Sequence, residues 1–186
     1  MDCIYLFSTN QISNQTVLAD ALNNIIPGIE VFFDSEYSGY FVADSACFAE
    51  LNSRLYEVQS ELNDRISVLV AHKKDDLSAR CLRDALAFFP NQCTFISDIL
   101  FKQFSFGNFS SLHYLKAQFK ELSPELLETV GAYLRCGMDG LGSAKYLNIH
   151  RNTFNYRLKE FIRITNLDIR DYHNALLLEI YFQYCK

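Results

Sequence analysis

Tryptophan is absent, proline occurs three times and glycine seven times in the 186 residues. So little Gly and Pro excludes collagen-like and low-complexity chains. No apolar run approaches the roughly 20 residues that a membrane-spanning helix needs. The N-terminus, MDCIYLFSTN, opens on an acid where a secretory leader would carry basic residues. The expectation is a soluble, cytoplasmic chain with no membrane partner. What is present is apolar bulk: 49% of residues are hydrophobic and 21% charged. That balance fills the core of one large or two small domains and is too apolar for a disordered chain.

The six cysteines (Cys3, Cys47, Cys81, Cys93, Cys136, Cys185) form no C-x-x-C pair, and His72, His113, His150 and His173 are equally scattered. A zinc site needs four ligands converging on one ion, for which close pairs are the usual sequence sign. Reduced thiols serving as small apolar side chains, with no metal and no cofactor, are the expectation.

Charge is unevenly placed. The formal net charge is −5, and residues 1–53 hold seven acids and no Lys or Arg. Residues 145–163 reverse this, with Lys145, Arg151, Arg157, Lys159 and Arg163 against Glu160 alone, a local charge of +4. Local field, not total charge, governs attraction of a polyanion. A charged stripe is also what an ordinary solvated helix face looks like, so charge alone decides nothing.

The first half alternates strand and helix patterns. CIYLF at 3–7 suits a buried strand, and 15–26 places Val17, Leu18, Ala21, Leu22, Ile25 and Ile26 at helical spacing before Pro27-Gly28. Strand-like runs at Ile29–Phe33 and Tyr40–Ala43 flank the turn residues Asp34, Ser35, Ser38 and Gly39, which predicts a hairpin. A helix at 48–62, the strand ISVLVA at 66–71, a helix at 77–89 and an edge strand at 94–96 follow. The order β-α-β-β-α-β predicts a ferredoxin-like, split β-α-β domain over 1–97 with an antiparallel or mixed sheet.

Residues 98–122 read as an aromatic-rich connector that packs against a domain. From there to 186 the pattern is helical, beginning with Ser123 as a cap and Pro124 at the first position of a helix. Further helices are predicted at 141–147, 151–165 and 172–186, so the fold class is α+β followed by an all-α domain over 123–186. The last helix carries more apolar residues than one narrow stripe needs. Closing the helical domain is its expected role, with part of it open to serve as an interface.

HRNTFNYRLKEFIRITN, 150–166, carries the chemistry. Phe154, Leu158, Phe161 and Ile162 fall on one side of a helix, and Arg151, Asn152, Asn155, Tyr156, Lys159 and Arg163 lie away from it. Arg suits guanine, Asn suits adenine, and Lys and Tyr suit the phosphate backbone. A short helix with Ala144 and Leu147 inward, a tight turn at 148–150 and a polar-fronted helix fit two readings equally on pattern alone, a helix-turn-helix reader of double-stranded DNA and a surface helix with ordinary solvated charges.

The strings LLETVGAYLRCG and AKYLNIHRNTFNYRLKEFIRITNLDI resemble the C-terminal helix-turn-helix of the purine-catabolism and carbohydrate-diacid regulator family (PucR/CdaR type). The matching positions are Leu126-Leu127-Glu128-Thr129 with Tyr133-Leu134, then His150, Arg151, Asn152, Thr153, Tyr156, Arg157 and Leu158. The resemblance implies a transcriptional regulator, with His150, Arg151, Asn152, Thr153, Asn155, Tyr156, Arg157, Lys159 and Arg163 as the DNA-binding set. It implies a degenerate GGDEF-like domain upstream, and an unidentified small-molecule effector stays open as a partner. The hairpin here reads DSEYSGYF, 34–41, without the paired glycines and acids of a cyclase. No catalysis is expected from it, and Asp34 and Glu36 are read as turn acids. Gly140-Leu141-Gly142 departs from the family pattern and predicts a short or frayed scaffolding helix.

A single reading module buries modest surface, roughly 600–1,000 Å², so a homodimer on two half-sites is expected. Two other classes compete. A nucleotide-binding or cyclase-like enzyme in the first half would need a phosphate-cradling glycine loop that the sequence lacks. The second competitor is an interaction protein whose helix-turn-helix no longer binds DNA.

Overall fold

The computed structural model describes residues 2–185. The chain divides into two compact units, 1–111 and 112–186.

Unit 1 is built on a five-stranded sheet of order β2-β3-β1-β4-β5. β1 (Asp2–Thr9) runs antiparallel to β3 (Ser38–Asp44) and to β4 (Ile66–Ala71), β2 (Phe32–Phe33) antiparallel to β3, and β5 (Cys93–Phe95) parallel to β4. β1 and β2 are therefore parallel, with β3 inserted between them. Alternate residues of β1 (Cys3, Tyr5, Phe7), β3 (Phe41, Ala43) and β4 (Ile66, Val68, Val70) point to one face. Two helices cover that face, α1 (Gln15–Ile25) through Leu18, Leu22 and Ile25, and α2 (Cys47–Leu62) through Leu51, Leu55 and Val58. On the other face α3 (Asp76–Phe88) packs on β4 and β1, with α4 (Ile96–Ser105) beside it. Ser67 on that face donates to the Phe89 carbonyl at 2.7 Å, which satisfies a buried hydroxyl. β4, covered on both faces, is buried at all six positions, and this is why ISVLVA reads as a continuous apolar run.

Two sequence expectations differ from what is seen. The strand expected at 29–33 is only two residues long, because β3 beyond Tyr40 pairs with β1 alone. Ile29 and Val31 pack on the core without ladder partners. The stretch read as a connector, 98–122, holds most of α4 and all of α5 (Leu112–Phe119), which fall in different units. The hairpin acids are turn residues, as expected: Asp34 pairs with Lys74, whose ammonium lies 4.2 Å from the Tyr40 ring centroid.

Unit 2 contains α5 and four further helices: α6 (Pro124–Arg135), α7 (Gly140–Tyr146), α8 (Arg151–Thr165) and α9 (Tyr172–Tyr184). Phe119 of α5 meets Tyr181 of α9 edge-on, centroids 4.7 Å apart, and lies 6.5 Å from Phe161 of α8. α9 thus packs against both α5 and α6, which accounts for an apolar surface wider than one stripe. The six cysteines are unbridged. Burial pushes the Cys81 and Cys93 thiols well above the usual thiol range.

Candidate nucleic-acid interface

α6, α7 and α8 pack on one another, with two aromatic side chains buried on the inner side of α8. Phe154, buried at the start of α8, lies 5.7 Å ring to ring from Tyr133 of α6. Phe161, two turns on, is fully buried. With Thr165 they form the inner face of α8, and Leu158 and Ile162 at its margin are half-buried.

α6 ends where Gly137 and Met138 adopt left-handed backbone, with φ of 65° and 64°. Asp139 then caps α7, its carboxylate accepting from the Leu141 N–H at 2.9 Å. A Cβ at Gly142 would stand 2.7 Å from that carboxylate, and one at Gly140 would stand 3.3 Å from the Phe154 ring. Each glycine therefore admits a close neighbour. Of the two expected outcomes, short or frayed, the helix is short, and it is capped with Ser143 and Ala144 buried.

The turn into α8 follows from Asn148, at φ 51°, which lets the Ile149 N–H reach back to the Ala144 carbonyl at 3.0 Å. His150 caps α8, its Nδ1 accepting from the Asn152 N–H at 3.2 Å. Nδ1 is then the unprotonated nitrogen, and Nε2 carries the donor.

This construction leaves Arg151, Asn152, Thr153, Asn155, Tyr156 and Lys159 exposed on α8 with His150 at its start, while Arg157 is half-buried. Arg163 is exposed but engaged. Its Nε and Nη2 donate to the two Glu160 carboxylate oxygens at 2.8 and 2.7 Å. The Arg163 contact holds the Glu160 carboxyl below the ordinary range. Arg157 lies near enough to α6 for its charge to add to the hydrogen bonds, from the Glu125 backbone and Ser123, that depress Glu125. The i,i+3 spacing of Glu160 and Arg163 was a readable sign of their pairing. The Asp139 cap carried only a weak sign, an acid just before an unpromising glycine pair. Among the described residues no helix is long and apolar enough to cross a membrane, and no three His, Cys, Asp or Glu are grouped to hold a metal ion.

Comparison with known proteins places this geometry. The proline-responsive transcriptional activator PutR of Bacillus subtilis is 41% identical over 67 residues, 36% of this chain and 16% of that protein. The carbohydrate diacid regulator of Escherichia coli is 38% identical over 58 residues, 31% of this chain and 15% of its own length. The likeness therefore spans under a fifth of either relative, and both are regulators by name, not enzymes. The crystal structure of a regulator of polyketide synthase expression from Bifidobacterium adolescentis aligns over 98% of this chain and 80% of its own at 16% identity, with a TM-score of 0.48. The family model described as the PucR C-terminal helix-turn-helix domain matches residues 126–183, which contain α7, the turn and α8. Residues 126–183 of this chain are a PucR C-terminal helix-turn-helix domain.

Proposed function

We propose that the chain is a sequence-specific DNA-binding transcriptional regulator that docks α8 in the major groove and acts as a homodimer in the cytoplasm. The observation carrying this reading is the exposed row of Arg, Asn, Tyr and Lys on a helix whose start is fixed by the His150 cap and whose back is locked by Phe154 and Phe161. His150, Arg151, Asn152, Thr153 and Asn155 lie at the end that meets base edges, and Tyr156, Lys159 and Arg163 follow toward the backbone. Arg157, half-buried, either reaches phosphate or braces α8 against α6. Two copies on half-sites about one helical turn apart supply the contact area that one module lacks.

Unit 1 is proposed as a ferredoxin-like, degenerate GGDEF-like scaffold for dimerisation or signal transmission. The β2-β3-β1-β4 order, with β3 between parallel β1 and β2, supports the split β-α-β plan. The proposed domains are a scaffold body built on 1–97 and a reader built on 123–186, with α4 and α5 added to units 1 and 2 respectively.

Titration of labelled duplex DNA at two salt concentrations tests the reading. Binding that weakens steeply with salt and discriminates between sequences supports it. Salt-independent binding or none overturns it and favours an interaction protein.

A further inference from the structure

α8 in the major groove is the premise; on it we infer that Arg151 reads a guanine and Asn155 an adenine, within about two base-pair steps of each other in every half-site. The side-chain engagements of unit 2 select these two residues. Unit 2 has five arginines, at 135, 151, 157, 163 and 170. Arg163 is forked onto Glu160 and Arg170 onto Asp168. Arg135 donates to the Tyr146 hydroxyl at 3.4 Å, and Arg157 is half-buried with its charge acting on Glu125. Among the described residues the Arg151 guanidinium is exposed and held by no ion pair or hydrogen bond. A two-pronged contact to guanine O6 and N7 needs such an uncommitted fork.

The asparagines sort in the same way. Asn148 and Asn166 occupy left-handed turns at φ 51° and 57°, and Asn174 is buried with its amide donating to the Asp168 carbonyl at 3.0 Å. Asn152 and Asn155 remain exposed on α8. Asn152 heads the stripe of Tyr156, Lys159 and Arg163 and stands about 100° round the helix from Arg151. Asn155 lies one turn above Arg151 on the same flank. Four residues of helix rise about 6 Å, close to two base-pair steps of about 3.4 Å. An Arg and an Asn at that separation present the donor sets that guanine and adenine accept in the major groove.

Selection from a pool of randomised duplexes, with the full chain and its Arg151→Ala, Arg151→Lys and Asn155→Ala variants, tests the assignment. The unaltered chain is expected to enrich a half-site holding G and A within two base pairs. Arg151→Ala is expected to lose the G preference by about 5- to 150-fold while keeping the A, Arg151→Lys to retain only part of it because an ammonium lacks the planar fork, and Asn155→Ala to show the reverse. Arg151→Lys keeps its charge and so keeps affinity for random duplex, which separates base reading from phosphate attraction. Both positions of change are exposed, and unchanged melting temperatures check that folding is intact. An enriched site that is the same in all variants overturns the assignment while leaving the regulator reading standing. A parent chain that enriches no sequence overturns the regulator reading, and this inference with it.

Discussion

Gly142 stands where the Asp139 carboxylate must lie: a Cβ there would come within 2.7 Å of Oδ2. The cap of the scaffolding helix and the glycine two residues inside the helix are thus one device. Ordinarily Gly→Ala inside a helix stabilises by up to about 1 kcal/mol. At Gly142 the sign is expected to reverse, because the alanine displaces the cap, whose loss costs about 0.5–2 kcal/mol. Gly131 is the control, since a Cβ there meets the Phe182 ring at an ordinary 3.4 Å. Thermal melting of Gly142→Ala and Gly131→Ala should show shifts in opposite directions; parallel shifts would remove the cap from the explanation.

His150 has two separable roles. His150→Ala is expected to lose the α8 cap and about 0.5–2 kcal/mol of stability. His150→Asn retains a capping acceptor and should melt near the parent protein. If His150→Asn also binds DNA as the parent does, the imidazole Nε2 contacts nothing on the duplex, and capping is its whole contribution.

Lys159 and Arg163 share one stripe but differ in availability, because Arg163 is engaged by Glu160. Lys159→Ala should weaken binding to specific and random duplexes by similar factors. It should also flatten the log-affinity against log-salt slope by about 0.9. Glu160→Gln, which releases Arg163, should steepen the slope. An unaltered slope in both variants would show that this stripe does not face phosphate.

Arg157 is half-buried where Lys159 is exposed. Arg157→Ala is therefore expected to lower the melting temperature and Lys159→Ala to leave it unchanged. The reverse order would show that Arg157 does not brace α6.

Acid should weaken unit 2. Glu160 and Asp168 titrate below the ordinary range because Arg163 and Arg170 donate to their charged forms, and hydrogen bonds lower Glu125 likewise. A carboxylate depressed in the folded state stabilises it above the unfolded value, near pH 4. That contribution is lost as pH falls through the depressed value. Melting temperature should therefore drop as pH falls below about 4, and Glu160→Gln should reduce the drop.

The sequence by itself determined the local elements from 123 on and the polar and apolar faces of α8. Ser123-Pro124 marks the start of α6, and the spacing of Phe154, Phe161 and the polar residues between them states which way α8 faces. These are short-range matters of capping and helical period, so they are legible in a string. Tertiary structure decided the rest. Phe119 belongs to a helix covering α9 and not to a connector, because its partners Phe161 and Tyr181 lie 42 and 62 positions further along the chain. Gly140 and Gly142 look like helix breakers until the ring and the carboxylate that occupy their missing Cβ positions are in view. Which arginine is uncommitted was equally hidden. The charge of a guanidinium is written in the sequence, but its engagement depends on which acceptors the folded chain brings within reach.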